Sequence, residues 1–282
     1  MLMTEHWRSG FVEANGVRLH YTRTDGDKPP LVLAHGVTDA GPCWTAVAEA
    51  LAPEYDAVMV DARGHGYSDA PERGYGPVEQ AADLAGVIAA LGLQRPAVLG
   101  HSMGAATALV LAGTYPDLPG AILLEDPPAW WTGWASTPAA RERQVAMRER
   151  ALNLKRKTRE EVIAGQRAEQ PGWSDAELEP WGGAKQRFSP SVLSVFEADN
   201  AANVDWPAIL SRITCPALLI TGDPEHGAIV TDESAAALEA LMPQLQIAHV
   251  PEAGHNIRRD QFARYMDVIR TFLSAPRVGM AS

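Results

Sequence analysis

Ser102 stands in the pentapeptide Gly-His-Ser-Met-Gly, residues 100–104, between the apolar run Pro96–Leu99 and the small-residue run Ala105–Leu111. Glycine two residues to either side of a serine, where a buried strand gives way to a helix, marks a backbone that turns too tightly or packs too closely for a Cβ. The pattern G-x-S-x-G reads as a strained strand-to-helix elbow that lifts the serine hydroxyl above the edge of a sheet. A hydroxyl is a poor nucleophile until a neighbouring base takes its proton. The rest of the chain must therefore supply that base, a group to orient it, and donors for the charge that develops on the attacked carbonyl.

The elements that position these groups follow from punctuation and periodicity. Asn15-Gly16 separates two short extended runs and predicts a β-hairpin. Apolar runs then recur at Leu31–Ala34, Ala57–Val60, Pro96–Gly100, Ala121–Leu124, Ala217–Thr221 and Gln246–Val250. Helical stretches alternate with them at Pro42–Leu51, Val78–Leu91, Ser102–Tyr115, Asp232–Leu241 and Asp260–Leu273. Buried strands alternating with helices predict an α/β fold with a mostly parallel, eight-stranded sheet covered on both faces. Residues 127–206 break the rhythm with a charged helical stretch, a second candidate helix near Pro190–Ala198, and six of the eight tryptophans in or at the end of the segment. The expected organisation is a core of residues 1–126, an inserted helical cap at 127–206, and the core resumed at 207–274. The charge run itself reads as a solvated helix face.

Composition limits the partners. The 282 residues carry a formal charge of −11, which disfavours nucleic acid, anionic membranes and polyanionic substrates. The only cysteines, Cys43 and Cys215, have no ligand spacing and read as core thiols of a reducing compartment. No apolar stretch reaches the roughly 18 residues of a membrane span, and the N-terminus has no secretory h-region. The expectation is a cytoplasmic protein without metal or cofactor. His6, His20, His226 and His249 show no evident partner.

Ligands of open α/β sheets bind beyond the carboxyl ends of the strands. There the chain places His-Gly-Val at 35–37, "DARGHGYSD" at 61–69, the elbow, Glu125-Asp126, "GDPEHGAIV" at 222–230 and "PEAGHNI" at 251–257. In this order, over nearly the whole chain, the sequence resembles the α/β-hydrolase superfamily with a helical cap. The resemblance implies Ser102 as nucleophile and His255 as general base. It implies an oxyanion hole from the backbone N–H groups of Val37 and Met103. Asp61, Arg63, Gly64, His65 and Gly66 match the family's shaping turn and read as structural.

The acid is where the sequence departs from the family. The common register after the strand Ala217–Thr221 places Glu225 in the acid slot counting forward and Gly227 counting back, with Asp223 offset from both. Asp126, 24 residues after Ser102, stands where some haloalkane dehalogenases and zearalenone lactonases keep theirs. Asp126 is the favoured acid, with Asp223 and Glu225 as the alternatives. A serine at the elbow excludes the aspartate-nucleophile dehalogenases and epoxide hydrolases. The remaining expectation is cleavage of an apolar or aromatic ester or lactone through an acyl-enzyme, with Trp130, Trp131 and Trp134 lining the entrance. A carbon–carbon hydrolase and a hydrolase-fold ligand receptor are the alternatives. The first of these wants a cation near the pocket, and outside the charged cap helix no obvious candidate stands out.

Overall fold

The structure, a computed structural model, describes residues 7–24, 27–133, 137–196 and 204–275. Eight strands form one sheet: β1 (Arg8–Ala14), β2 (Val17–Arg23), β3 (Pro30–Ala34), β4 (Asp56–Val60), β5 (Ala97–His101), β6 (Ala121–Glu125), β7 (Ala217–Thr221) and β8 (Leu245–His249). Their spatial order is β1-β2-β4-β3-β5-β6-β7-β8, antiparallel at β1/β2 and β2/β4 and parallel from there on. The six apolar runs fall on β3 to β8 within a residue at each end, and the hairpin turns at Asn15-Gly16.

Alternation along the strands divides the core. Val32, Val58, Val98, Ile122 and Leu219 face α2 (Pro77–Ala90) and α3 (Met103–Thr114). Leu31, Leu33, Met59, Leu99, Leu123 and Ile220 face α1 (Thr45–Leu51) and the C-terminal helix, Phe262–Ser274. Both faces of the parallel strands are therefore apolar, as a sheet sandwiched between helix layers requires. No helix among the described residues is long and apolar enough to cross a membrane.

Between β6 and β7 the chain forms α4 (Pro138–Arg156), α5 (Arg159–Glu169), α6 (Asp175–Arg187), a 3₁₀ turn at Pro190–Phe196 and α7 (Trp206–Leu210). The charged stretch expected as one helix is two. Lys157 leaves the helical conformation, and Thr158 restarts it with a reciprocal capping box to Glu161. α6 has no counterpart in the sequence reading: Pro180 and two glycines lie in the element, and their low helix propensity hides it. After β7 come α8 (Asp232–Leu241), α9 (Ile257–Asp260) and α10 (Phe262–Ser274).

Candidate active site

Ser102 caps α3 with φ +52° and ψ −113°, a conformation that L-residues avoid. The two glycines explain how the elbow closes. A Cβ on Gly100 would lie 2.3 Å from the Gly104 carbonyl oxygen, and one on Gly104 would lie 2.1 Å from that of Ala34. The Ser102 N–H donates to the Glu125 carbonyl (2.9 Å), and its own carbonyl accepts from Ala105 and Ala106 to begin the helix. Met103 is thus the first residue of α3, where free N–H groups and the helix dipole favour negative charge.

His255 lies on the loop between β8 and α9. Its Nδ1–H donates to Asp126 Oδ2 at 2.6 Å. The Asp126 carboxylate is fully buried and also accepts from the backbone N–H groups of Ile229 (2.8 and 3.0 Å) and Val230 (2.9 Å). Asp126 is itself at φ +40°, directly after β6. Donors therefore surround both of its oxygens. The other carboxylates point elsewhere. Asp223 accepts from His249 Nε2 (2.9 Å) and the Glu252 N–H (2.6 Å) and lies 3.5 Å from His226 Nδ1, while Glu225 is exposed. Glu125 is buried against Arg258 and Tyr265.

Of the histidines expected to be unpaired, His6 lies outside the described residues and the other three have partners. His226 and His249 flank Asp223, and His20 pairs with Asp61 at 2.8 Å. Asp61 also accepts from the N–H groups of Gly41 and Tyr67, so the 61–66 turn is structural. The same turn steadies the Val37 loop. His65 Nε2 donates to the Val37 carbonyl (2.6 Å), and His35 bridges Gly36 to Ala62. Burial, with His35 close by, pulls the His65 pKa down to about 4. His101 is buried beside the candidate base, its ring centroid 4.7 Å from that of His255, and its Nε2–H donates to the His255 carbonyl. Desolvation and the Arg258 charge hold His101 far below the ordinary imidazole value, so it stays neutral.

Two cavities open onto Ser102. One, of about 320 Å³, is bounded by Val37, His101, His255, Arg150, Trp173 and Lys185, among others. The second, of about 50 Å³, is mostly apolar and is bounded by Val37, Met103, Pro128, Trp130, Val195 and Ile229, with Arg143 at its side. Met147 borders both. Arg143, Met147 and Arg150 stand at i, i+4 and i+7 on α4, one face of the helix read from sequence as solvated. Arg143 and Arg150 are exposed, and Arg150 pairs with Glu169 at 2.5 Å across to α5. No carboxylate among the described residues pairs with Arg143.

The tryptophans separate. Trp130 and Trp131 are both buried in the core; Trp130 also borders the apolar cavity, and Trp131 donates its indole N–H to the Ser234 carbonyl (2.9 Å). Trp134 lies outside the described residues. Trp173 and Trp181, which the entrance assignment did not include, border the larger cavity. Trp181 lies in α6, and Trp173 in the turn just before it.

Comparison with known proteins agrees with this fold. The family model for the alpha/beta hydrolase fold matches residues 29–258. The chain is 32% identical to an N-formylmaleamate deformylase of Pseudomonas putida, over 95% of this chain and 97% of that protein. It is 26% identical to a 2-(acetamidomethylene)succinate hydrolase of Mesorhizobium japonicum, over 97% and 98%. Among solved structures, an E-2-(acetamidomethylene)succinate hydrolase superposes with a TM-score of 0.80 at 24% identity, covering 96% of this chain and all of that one. An esterase of Thermogutta terrifontis, with malate bound, superposes with a TM-score of 0.72 at 25% identity, covering 94% of this chain and 98% of that one. With the elbow, the buried carboxylate–imidazole pair and these matches together, the chain is a hydrolase and belongs to the α/β-hydrolase family.

Proposed function

We propose that this protein is a serine hydrolase that cleaves the C–N bond of a small amide carrying one or more carboxylates. In this reading Ser102 Oγ attacks the amide carbonyl while His255 Nε2 takes its proton. Asp126 holds the imidazole in the required tautomer and stabilises the imidazolium. The backbone N–H groups of Val37 and Met103 receive the oxyanion. His255 then returns the proton to the departing nitrogen, and a water deprotonated by the same imidazole hydrolyses the acyl-enzyme.

The observation that carries the substrate class is the face of α4, which brings Arg143 and Arg150 to the two cavities flanking Ser102. An arginine is suited to a carboxylate because its planar fork can bind it bidentately. The named activities of the two relatives, on a maleamate and a succinate derivative, support the same class. The net charge of −11 counts against polyanions only as a long-range average, because exposed charges farther apart than a Debye length are largely screened. The apolar wall made by Pro128, Trp130, Val195 and Ile229 favours a second reading, an ester or lactone with an apolar group.

The test compares kcat/KM for N-formylmaleamate and for p-nitrophenyl butyrate in wild type, Ser102→Ala, Arg143→Ala and Arg150→Ala. Loss of a charge-assisted hydrogen bond costs about 1.5–3 kcal/mol, so each arginine variant is expected to raise KM for the amide roughly 10- to 100-fold. The neutral ester is expected to be nearly unaffected, and Ser102→Ala to be inactive on both. Faster turnover of the ester than of the amide, with both arginines dispensable, would establish the second reading instead.

A further inference from the structure

Beneath the larger cavity lies a cluster of buried charges that the proposed reaction does not use. Lys185 and Glu177 come from α6. Asp39 follows the Val37 loop, Glu125 ends β6, and Arg258 and Arg259 lie on α9. All six are buried, three cations against three anions. Asp39 Oδ1 accepts from Lys185 (2.8 Å), and its Oδ2 accepts from Arg259 (2.9 Å) and Arg258 (3.2 Å). Arg259 reaches Glu177 at 3.1 Å, and Arg258 reaches Glu125 at 3.0 Å. Burial alone would raise the Asp39 carboxyl, yet Arg259, Lys185 and Arg258 together hold it well below the usual range.

The Lys185 amine spends all of its hydrogens on one short loop. It donates to the Thr38 carbonyl (2.8 Å), to Thr38 Oγ1 (3.0 Å) and to Asp39 Oδ1 (2.8 Å). That loop is closed on itself by the Asp39 N–H donating to the Gly36 carbonyl (3.0 Å). Val37 lies inside this turn, its carbonyl held from the opposite side by His65. The peptide unit that carries the Val37 N–H ends in the Gly36 carbonyl, which accepts from His35 Nδ1 (2.8 Å) and from the Asp39 N–H, so Lys185 acts on that unit through Asp39.

We propose that Lys185 is a positioning residue: by clamping Thr38 and Asp39 it aims the Val37 N–H at the oxyanion, so that the hole is complete only while α6 is docked. The proposal rests on the serine acyl-transfer reading above. It makes the inserted helices part of the catalytic geometry as well as of the pocket. Loss of an oxyanion donor costs roughly 10²- to 10³-fold in turnover. Loosening one without deleting it is expected to cost less, about 10- to 100-fold.

The probe pair is p-nitrophenyl acetate and its thionoacetate analogue, in which sulfur replaces the carbonyl oxygen and fits an oxyanion hole poorly. Lys185→Met removes the amine and keeps much of the side-chain volume. The double variant Lys185→Met/Asp39→Asn also removes the clamp and leaves two buried cations against two anions, should the single variant not fold. The expected result is a 10- to 100-fold fall in kcat for the oxo-ester, an unchanged KM, and little change for the thiono-ester, so the oxo/thiono rate ratio collapses. A folded variant whose rates on both esters fall together, with the ratio kept, would overturn the proposal while leaving the serine mechanism standing. Retained hydrolysis of the oxo-ester by Ser102→Ala would remove the mechanism itself, and the proposal with it.

Discussion

Changing Asp126 to Asn replaces one acceptor oxygen by a donor NH₂ in a site where every neighbour is a donor. Oδ1 accepts from the Ile229 and Val230 N–H groups, and Oδ2 accepts from Ile229 and from His255 Nδ1. The amide oxygen can keep only one of these positions. With the oxygen facing the backbone pair, the NH₂ faces His255 Nδ1 and makes it an acceptor, which leaves the proton on Nε2, facing the serine. The imidazole then has no lone pair for the Ser102 proton. A wrong tautomer of this kind costs about 10⁴-fold in kcat, or roughly 5.5 kcal/mol of transition-state stabilisation. The NH₂ also meets the Ile229 N–H, donor against donor, so stability is expected to fall by about 1–3 kcal/mol without unfolding the protein. Steady-state hydrolysis of N-formylmaleamate and of p-nitrophenyl butyrate, with thermal unfolding in parallel, reads both effects. Asp223→Asn and Glu225→Gln are the controls, expected within about threefold of wild type because neither carboxylate touches His255. An Asp126→Asn enzyme within tenfold of wild type, beside an inactive Asp223→Asn, would refute the reasoning.

Trp131→Ala removes a core ring and is expected to cost about 3–5 kcal/mol, read as a large fall in Tm. Trp130→Ala removes a core ring as well, but it also enlarges the cavity of about 50 Å³ beside Ser102 and is expected to raise the rate on bulky acyl esters relative to butyrate. Equal selectivity in the two variants would contradict that division. Acid lability should follow from the buried histidines. His65 is pulled down to about 4, and His35 and His101 are also lowered, each chiefly by burial. Their unfolded values lie near 6.5, so between pH 6.5 and 4 the unfolded chain binds more protons and stability is lost as pH falls. His65 alone accounts for roughly 3 kcal/mol over that window. Denaturant midpoints at pH 7.5, 6 and 4.5 measure it, and a flat profile would show that these rings take up protons in the folded state.

The strands and the elbow were readable because each depends on neighbours in sequence: apolar runs between turn residues, and two glycines around Ser102. Asp126 was readable as a candidate from its place after β6, but that it meets His255, while Asp223 and Glu225 do not, appears only when strand ends are brought together in space. The Lys185–Asp39 pair spans 146 residues and Arg258–Asp39 spans 219, and no periodicity signals contacts of that range. The charged face of α4 reads as solvated, and Arg143 and Arg150 are indeed exposed; what charge alone does not signal is that the same residues also border the cavities beside Ser102. Helix α6 was missed because a proline and glycines lower its propensity, while burial of Leu178, Trp181 and Lys185 holds it in place.

Ile229 serves the candidate acid and the pocket through different atoms. Its N–H holds the Asp126 carboxylate, while the residue also borders the apolar cavity. Any residue but proline can supply that N–H. The wall at this position can therefore be recut, larger, smaller or polar, with the hydrogen bond to the carboxylate retained. A library at position 229 should change which acyl groups the protein accepts while leaving the imidazole's partner in place. Drift in ligand preference and constancy of chemistry are written here on two sides of a single residue.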